Sequence, residues 1–77
     1  MIMNRDIATI TTGAQISRLM TRLGWNLIEL ADELGMHPRT IGEMRSGKRE
    51  IKPYAALALS YIELNYLGGP EQEEHNP

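Results

Sequence analysis

The chain has 77 residues, no cysteine, two histidines and a formal net charge of −2. That length supports one domain with a single small core, and without cysteine neither disulfides nor a cysteine zinc site can reinforce it, so the core must be hydrophobic. No run of 18 apolar residues occurs, and the segment MIMNRDIATITTG lacks the basic start and apolar stretch of a secretory signal, so a cytoplasmic protein without membrane attachment is expected.

Residues 1–11 read as an N-terminal arm. Ile7, Thr9, Ile10 and Thr11 are β-branched and favour extended backbone, which is compatible with a frayed end or with a strand that pairs with a second subunit. Thr12 and Gln15 then form a capping box that opens a helix over residues 13–23, with Ile16, Leu19, Met20 and Leu23 as its apolar stripe and Gly24 as its stop. Residues 24–47, GWNLIELADELGMHPRTIGEMRSG, hold two short helices around a glycine turn. Asn26 with Glu29 caps the first, Trp25 and Leu30 staple its opening turn, Leu27, Leu30, Ala31 and Leu34 repeat at helical spacing, and Gly35 ends it over a buried Met36. His37 caps the second, Pro38 takes its first position, and Ile41 and Met44 face inward.

Pro53 opens a last helix that runs to about residue 67 and stops at Gly68-Gly69-Pro70; residues 68–77, with Glu71, Glu73 and Glu74, read as a flexible acidic tail. This last helix is apolar on more than one face. Tyr54, Leu57, Ala58, Tyr61 and Ile62 make one stripe, while Ala55, Leu59 and Tyr66 lie off it. So small a core has little room for both faces, which points to a homodimer interface at Tyr54, Leu57, Tyr61 and Ile62; the alternative leaves the tyrosines half-exposed with hydroxyls in water. The fold expected is all-α, a small bundle of four helices, or five if the last one divides.

Two helices joined by so short a turn cross at roughly 90 to 120°, which lets the N-terminal residues of the second enter a DNA major groove. Here the chain resembles the Cro/CI-type (XRE-like) helix-turn-helix regulators, in the Leu30-Ala31 pair, the Gly35 turn, the capped helix from His37 to Met44, the closing Gly47 and the loop Ser46-Gly47-Lys48-Arg49-Glu50-Ile51. The similarity covers residues 12–67 and implies a lambda-repressor-like domain. Three features depart from the pattern. Leu27 stands where the family has a phosphate-contacting glutamine, Met20 and Arg45 replace its arginine–glutamate pair, and the family's five helices become four. An apolar Met20 can fill the space of a lost buried ion pair and free Arg45 to face phosphate.

With Ile41 and Met44 turned inward, Pro38, Arg39, Gly42, Glu43 and Ser46 share the outer face, flanked by Thr40 and Arg45. Pro38, Arg39, Thr40 and Glu43 are the expected base-reading set. Arg39 suits guanine O6 and N7, Thr40 a phosphate or a thymine methyl, and Glu43 either accepts from a cytosine amino group or pairs with Arg39. Asn26, His37, Arg45, Ser46, Lys48 and Arg49 are the expected phosphate set. Gly42 would let the helix approach the groove floor, or is an unforced propensity defect. The acidic total misrepresents this face, because five cations from Arg39 to Lys52 meet only Glu43 and Glu50. A third reading of the arm brings Arg5 to DNA.

The function expected is an autoregulating repressor, a homodimer on an inverted-repeat operator, in the small format of phage or plasmid regulators and without a separate sensor domain. The same fold also serves as a protein-interaction module, or as an antitoxin with a toxin partner. No residue set is placed for nucleophilic or metal chemistry and no glycine-rich phosphate loop follows a strand, so neither an enzyme nor a cofactor is expected.

Overall fold

In a computed structural model, which describes residues 9–70, four helices follow one another: α1 (Gly13–Leu23), α2 (Leu27–Leu34), α3 (Pro38–Ser46) and α4 (Pro53–Leu67). The readings of Arg5, Ile7 and the Glu71 to His75 tail lie outside the described residues. Both capping boxes form. The Thr12 hydroxyl accepts from the Gln15 N–H at 3.2 Å while Gln15 Oε1 accepts from the Thr12 N–H at 3.0 Å; Asn26 and Glu29 make the same exchange at 2.8 Å each way. At the turn between α2 and α3, Gly35 takes a left-handed φ of 71°, and the N–H of Met36 returns to the carbonyl of Ala31 at 3.0 Å. A side chain at that φ would be strained, so glycine sets the corner.

Ile16, Leu19, Leu30, Ile41 and Leu59 are the large side chains almost wholly removed from water, and together they draw all four helices onto one core. α3 packs against both α2 and α1, and α1 packs against α4. Gly13 permits an unusually close seat. A Cβ there would collide with the Arg45 carbonyl and lie 2.9 Å from that of Met44, so the N-terminus of α1 rests on the last carbonyls of α3. The positive end of one helix dipole thus meets the negative end of the other.

The inward side of α4 carries Ala55, Ala56, Leu59 and Ile62 together with two polar residues, Ser60 and Glu63. Ile62 therefore belongs to the core and not to an outer interface, a correction to its grouping with Tyr54, Leu57 and Tyr61. The residue that completes the outer row is Leu64. Tyr54, Leu57, Tyr61 and Leu64 are 68%, 38%, 62% and 53% exposed. Tyr66 is tied down, its hydroxyl donating to Glu33 at 2.7 Å and its ring meeting Trp25 edge-on at 5.0 Å.

The buried polar pair on α4 receives the chain before α1. Ser60 Oγ accepts the N–H groups of Thr9 and Ile10 at 2.8 and 3.1 Å and donates to the Ala56 carbonyl at 2.7 Å. The Thr9 hydroxyl donates to Glu63 Oε1 at 2.5 Å, and Arg22 bridges Glu63 Oε2 at 3.0 Å and the Gly69 carbonyl at 3.2 Å. Ile10 lies in the core at 2% exposure. A frayed end is thus not what Thr9 and Ile10 form. A buried donor left unpaired costs about 1–3 kcal/mol, so the serine hydroxyl makes burial of this backbone tolerable.

Candidate nucleic-acid interface

α3 is anchored inward by Ile41 and Met44, both buried, which turns Pro38, Arg39, Gly42, Glu43 and Ser46 outward as the spacing requires. These five, with Lys48 from the following loop and Leu27 from α2, line one shallow concavity. Thr40 lies on the opposite flank, in a separate hollow with Met36, Met44 and Tyr54, so it does not share the surface of Pro38, Arg39 and Glu43. Asn26 and Arg45 line a third hollow with Pro38, Met20 and Leu27.

The N-terminus of α3 is closed by His37, whose Nδ1 accepts the Arg39 N–H at 3.0 Å. That bond requires the lone pair on Nδ1, which leaves Nε2 carrying the proton of the neutral ring as an outward donor. The Arg39 side chain is exposed and, among the described residues, makes no hydrogen bond or ion pair. Lys48 is exposed and unpaired in the same sense. Asn26 has committed Oδ1 and its backbone N–H to the capping box, which leaves its side-chain amide as the available donor. Arg45 is exposed, with Nη1 3.7 Å from the sulfur of the buried Met20, so the methionine fills the inner space and the guanidinium lies outside. Ser46 Oγ donates to the Glu43 carbonyl at 3.2 Å.

Glu43 pairs with Arg49 and not with Arg39. Arg49 Nε and Nη2 both donate to Glu43 Oε1, at 2.9 and 2.7 Å, and the Arg49 N–H donates to the Glu43 carbonyl at 3.1 Å. The Arg49 hydrogen bonds, with added attraction from Arg49, Arg39 and Lys48, hold the Glu43 carboxyl below the usual carboxylate range against a smaller opposing effect of desolvation. It stays ionised wherever the protein is folded near neutral pH.

Gly42 is not required by packing. Among the described residues, a Cβ there would meet only Leu27 Cδ1, at an ordinary 3.5 Å. Three residues shape the interface in ways that sequence pattern does not give. Leu27 forms a wall of the concavity, Gly13 seats the far end of α3, and Arg49, expected on phosphate, turns back six residues through a loop to reach Glu43; Leu27 had a signal in its departure from the expected glutamine, Arg49 had one in its charge but not in its partner, and Gly13 had none.

The family model described as helix-turn-helix matches residues 16–60, more than half of the chain. No curated protein and no solved structure matches it. Among the described residues no helix is long and apolar enough to cross a membrane, and no group of three or more histidine, aspartate or glutamate side chains could hold a metal.

Proposed function

The chain belongs to the Cro/CI-type (XRE-like) helix-turn-helix family of DNA-binding transcription regulators, and from that premise we propose that it is a cytoplasmic, autoregulating repressor that binds an inverted-repeat operator as a homodimer. The observation that carries the reading is Arg39: an exposed guanidinium, without a hydrogen bond or ion pair among the described residues, in the first turn of a helix whose other face is locked into the core. Held there, it is ready for the bidentate contact to guanine O6 and N7, worth about 1–3 kcal/mol of discrimination. Lys48, which shares the concavity of Arg39, and Arg45, which shares the hollow of Pro38, join the Asn26 amide, the outer His37 nitrogen and Ser46 in supplying phosphate contacts that fix register. Thr40 is left for phosphate on the far flank.

The dimer rests on the outer row of α4. Positions 54, 57, 61 and 64 follow three-four-three spacing, the seam of a two-helix coiled coil. Its alternation of tyrosine and leucine is self-complementary: antiparallel about a two-fold near residue 59, Tyr54 faces Leu64 of the second copy and Leu57 faces its Tyr61. A two-fold dimer matches half-sites about one helical turn apart.

The test is titration of the purified protein against the DNA upstream of its own coding region at two salt concentrations, with Arg39→Ala alongside. Selective binding that weakens with salt and loses its guanine preference with Arg39→Ala is expected. Equal binding to random DNA by both proteins would refute the reading.

A further inference from the structure

Arg49 lies in the loop where a phosphate contact is expected, yet its guanidinium is occupied. Two of its donors converge on a single oxygen, Glu43 Oε1, and its own backbone N–H holds the Glu43 carbonyl. The same carbonyl accepts from Ser46. Glu43 is therefore fixed at both backbone and side chain, while Oε2 accepts no hydrogen bond among the described residues. This carboxylate is placed on the outer surface of α3, in the concavity that also holds Arg39 and Lys48.

A carboxylate on a surface that meets DNA repels phosphate unless its charge is cancelled, and it can only accept hydrogen bonds. Arg49 supplies the cancelling charge. Of the four bases, guanine presents only acceptors in the major groove, thymine an acceptor and a methyl group, and adenine a donor beside the N7 acceptor; cytosine alone offers an amino donor with no acceptor of its own. We propose that Arg49 is a positioning residue and not a phosphate clamp: it holds Glu43 so that Oε2 accepts from a cytosine N4 amino group in the half-site that Arg39 reads. The inference rests on the DNA-reading function proposed above and adds a second specificity position to it. A support that fixes the reader's rotamer sharpens discrimination without itself touching the nucleic acid.

Selection from randomised duplexes, followed by titration at several salt concentrations, tests it with Arg49→Ala, Glu43→Gln and the double variant. The parent is expected to prefer cytosine at one position of each half-site by about tenfold. Arg49→Ala should flatten that preference and, by leaving the Glu43 charge uncancelled, lower affinity for all sequences, while its melting temperature and the guanine preference stay close to the parent's; the uniform loss should be absent in the Glu43→Gln background, where no carboxylate charge remains. Glu43→Gln should move the preference toward adenine, whose N6 and N7 suit an amide. In the Glu43→Gln background, Arg49→Ala should change nothing further at that position. Uniform loss of affinity for all sequences on Arg49→Ala in both backgrounds, with the salt slope reduced by about one, would make Arg49 a phosphate clamp and overturn the inference. A parent that selects guanine through Arg39 but no cytosine would overturn it and leave the DNA-reading function standing. No selection at all would overturn both.

Discussion

Gly42→Ala separates the demands of folding from those of DNA. Glycine inside a helix costs about 0.5–1 kcal/mol relative to alanine, because the unfolded chain gives up more freedom. Nothing in the fold opposes the added methyl, since the nearest side-chain atom, Leu27 Cδ1, would sit 3.5 Å away in ordinary contact. The variant should therefore be more stable. For a domain of this size 1 kcal/mol moves the melting temperature by about 4–8 °C, so a rise of roughly 2–8 °C is expected by circular dichroism. Yet Gly42 lies between Arg39 and Glu43 in the outward concavity, where a methyl group would hold the helix axis away from the groove floor. Affinity for the selected operator should fall by about tenfold or more, as expected when one base contact is lost. A rise in melting temperature with unchanged affinity would show that the glycine is a propensity defect with no role in binding. A fall in melting temperature would refute the packing argument itself.

Other perturbations follow from the same geometry. Gly13→Ala drives a Cβ into the Arg45 carbonyl and should cost about 1–3 kcal/mol in urea denaturation, as overpacking does. Ser60→Ala strands the buried N–H of Ile10 and that of Thr9, with an expected loss of about 1–3 kcal/mol by the same measurement. Arg45→Ala should weaken DNA binding and lower the salt slope with little change in melting temperature, because only a long contact to the Met20 sulfur is lost; a large stability loss at unchanged affinity would overturn that placement. Tyr61→Glu should sediment as a monomer at concentrations where the parent is a dimer, with helical content unaltered.

The features legible in the sequence are those decided within a few residues. Both capping boxes, the glycine that reverses the chain at residue 35 and the proline at the head of α3 are local chemistry, and the helix bounds follow from them. The orientation of α4 is not local. Its apolar residues run all round, so periodicity does not choose a side; the choice is made by two small residues, Ala55 and Ala56, that let it approach the core, and by Ser60 and Glu63. Those two look like surface residues until Thr9, Ile10 and Arg22, some 40 to 50 positions away in sequence, arrive to satisfy them. Periodicity therefore sets Ile62 on the outer stripe and leaves Leu64 out, where the fold does the reverse. The partner of Glu43 was equally out of reach, because helical spacing offers Arg39 four residues back whereas the loop after Gly47 delivers Arg49.

The placement of α3 follows from how little of it is buried. Ile41 and Met44 are the two side chains that hold a nine-residue helix to the core, and two anchors three residues apart leave its rotation and tilt weakly determined. Its ends supply the missing constraint. At the start, His37 ties the Arg39 N–H to the turn from α2; at the finish, the carbonyls of Met44 and Arg45 sit against the N-terminus of α1 at a distance only Gly13 allows. Because Arg39 follows the first tether and Glu43 is held by a loop that begins at the second, a shift at either end changes where both point. Substitutions at His37 and Gly13 should then alter base preference as well as stability, although Gly13 has no side chain and His37 is assigned to phosphate. Selection on randomised duplexes with His37→Ala decides it: an unchanged preference profile beside a lowered melting temperature would mean that Ile41 and Met44 suffice to aim the helix.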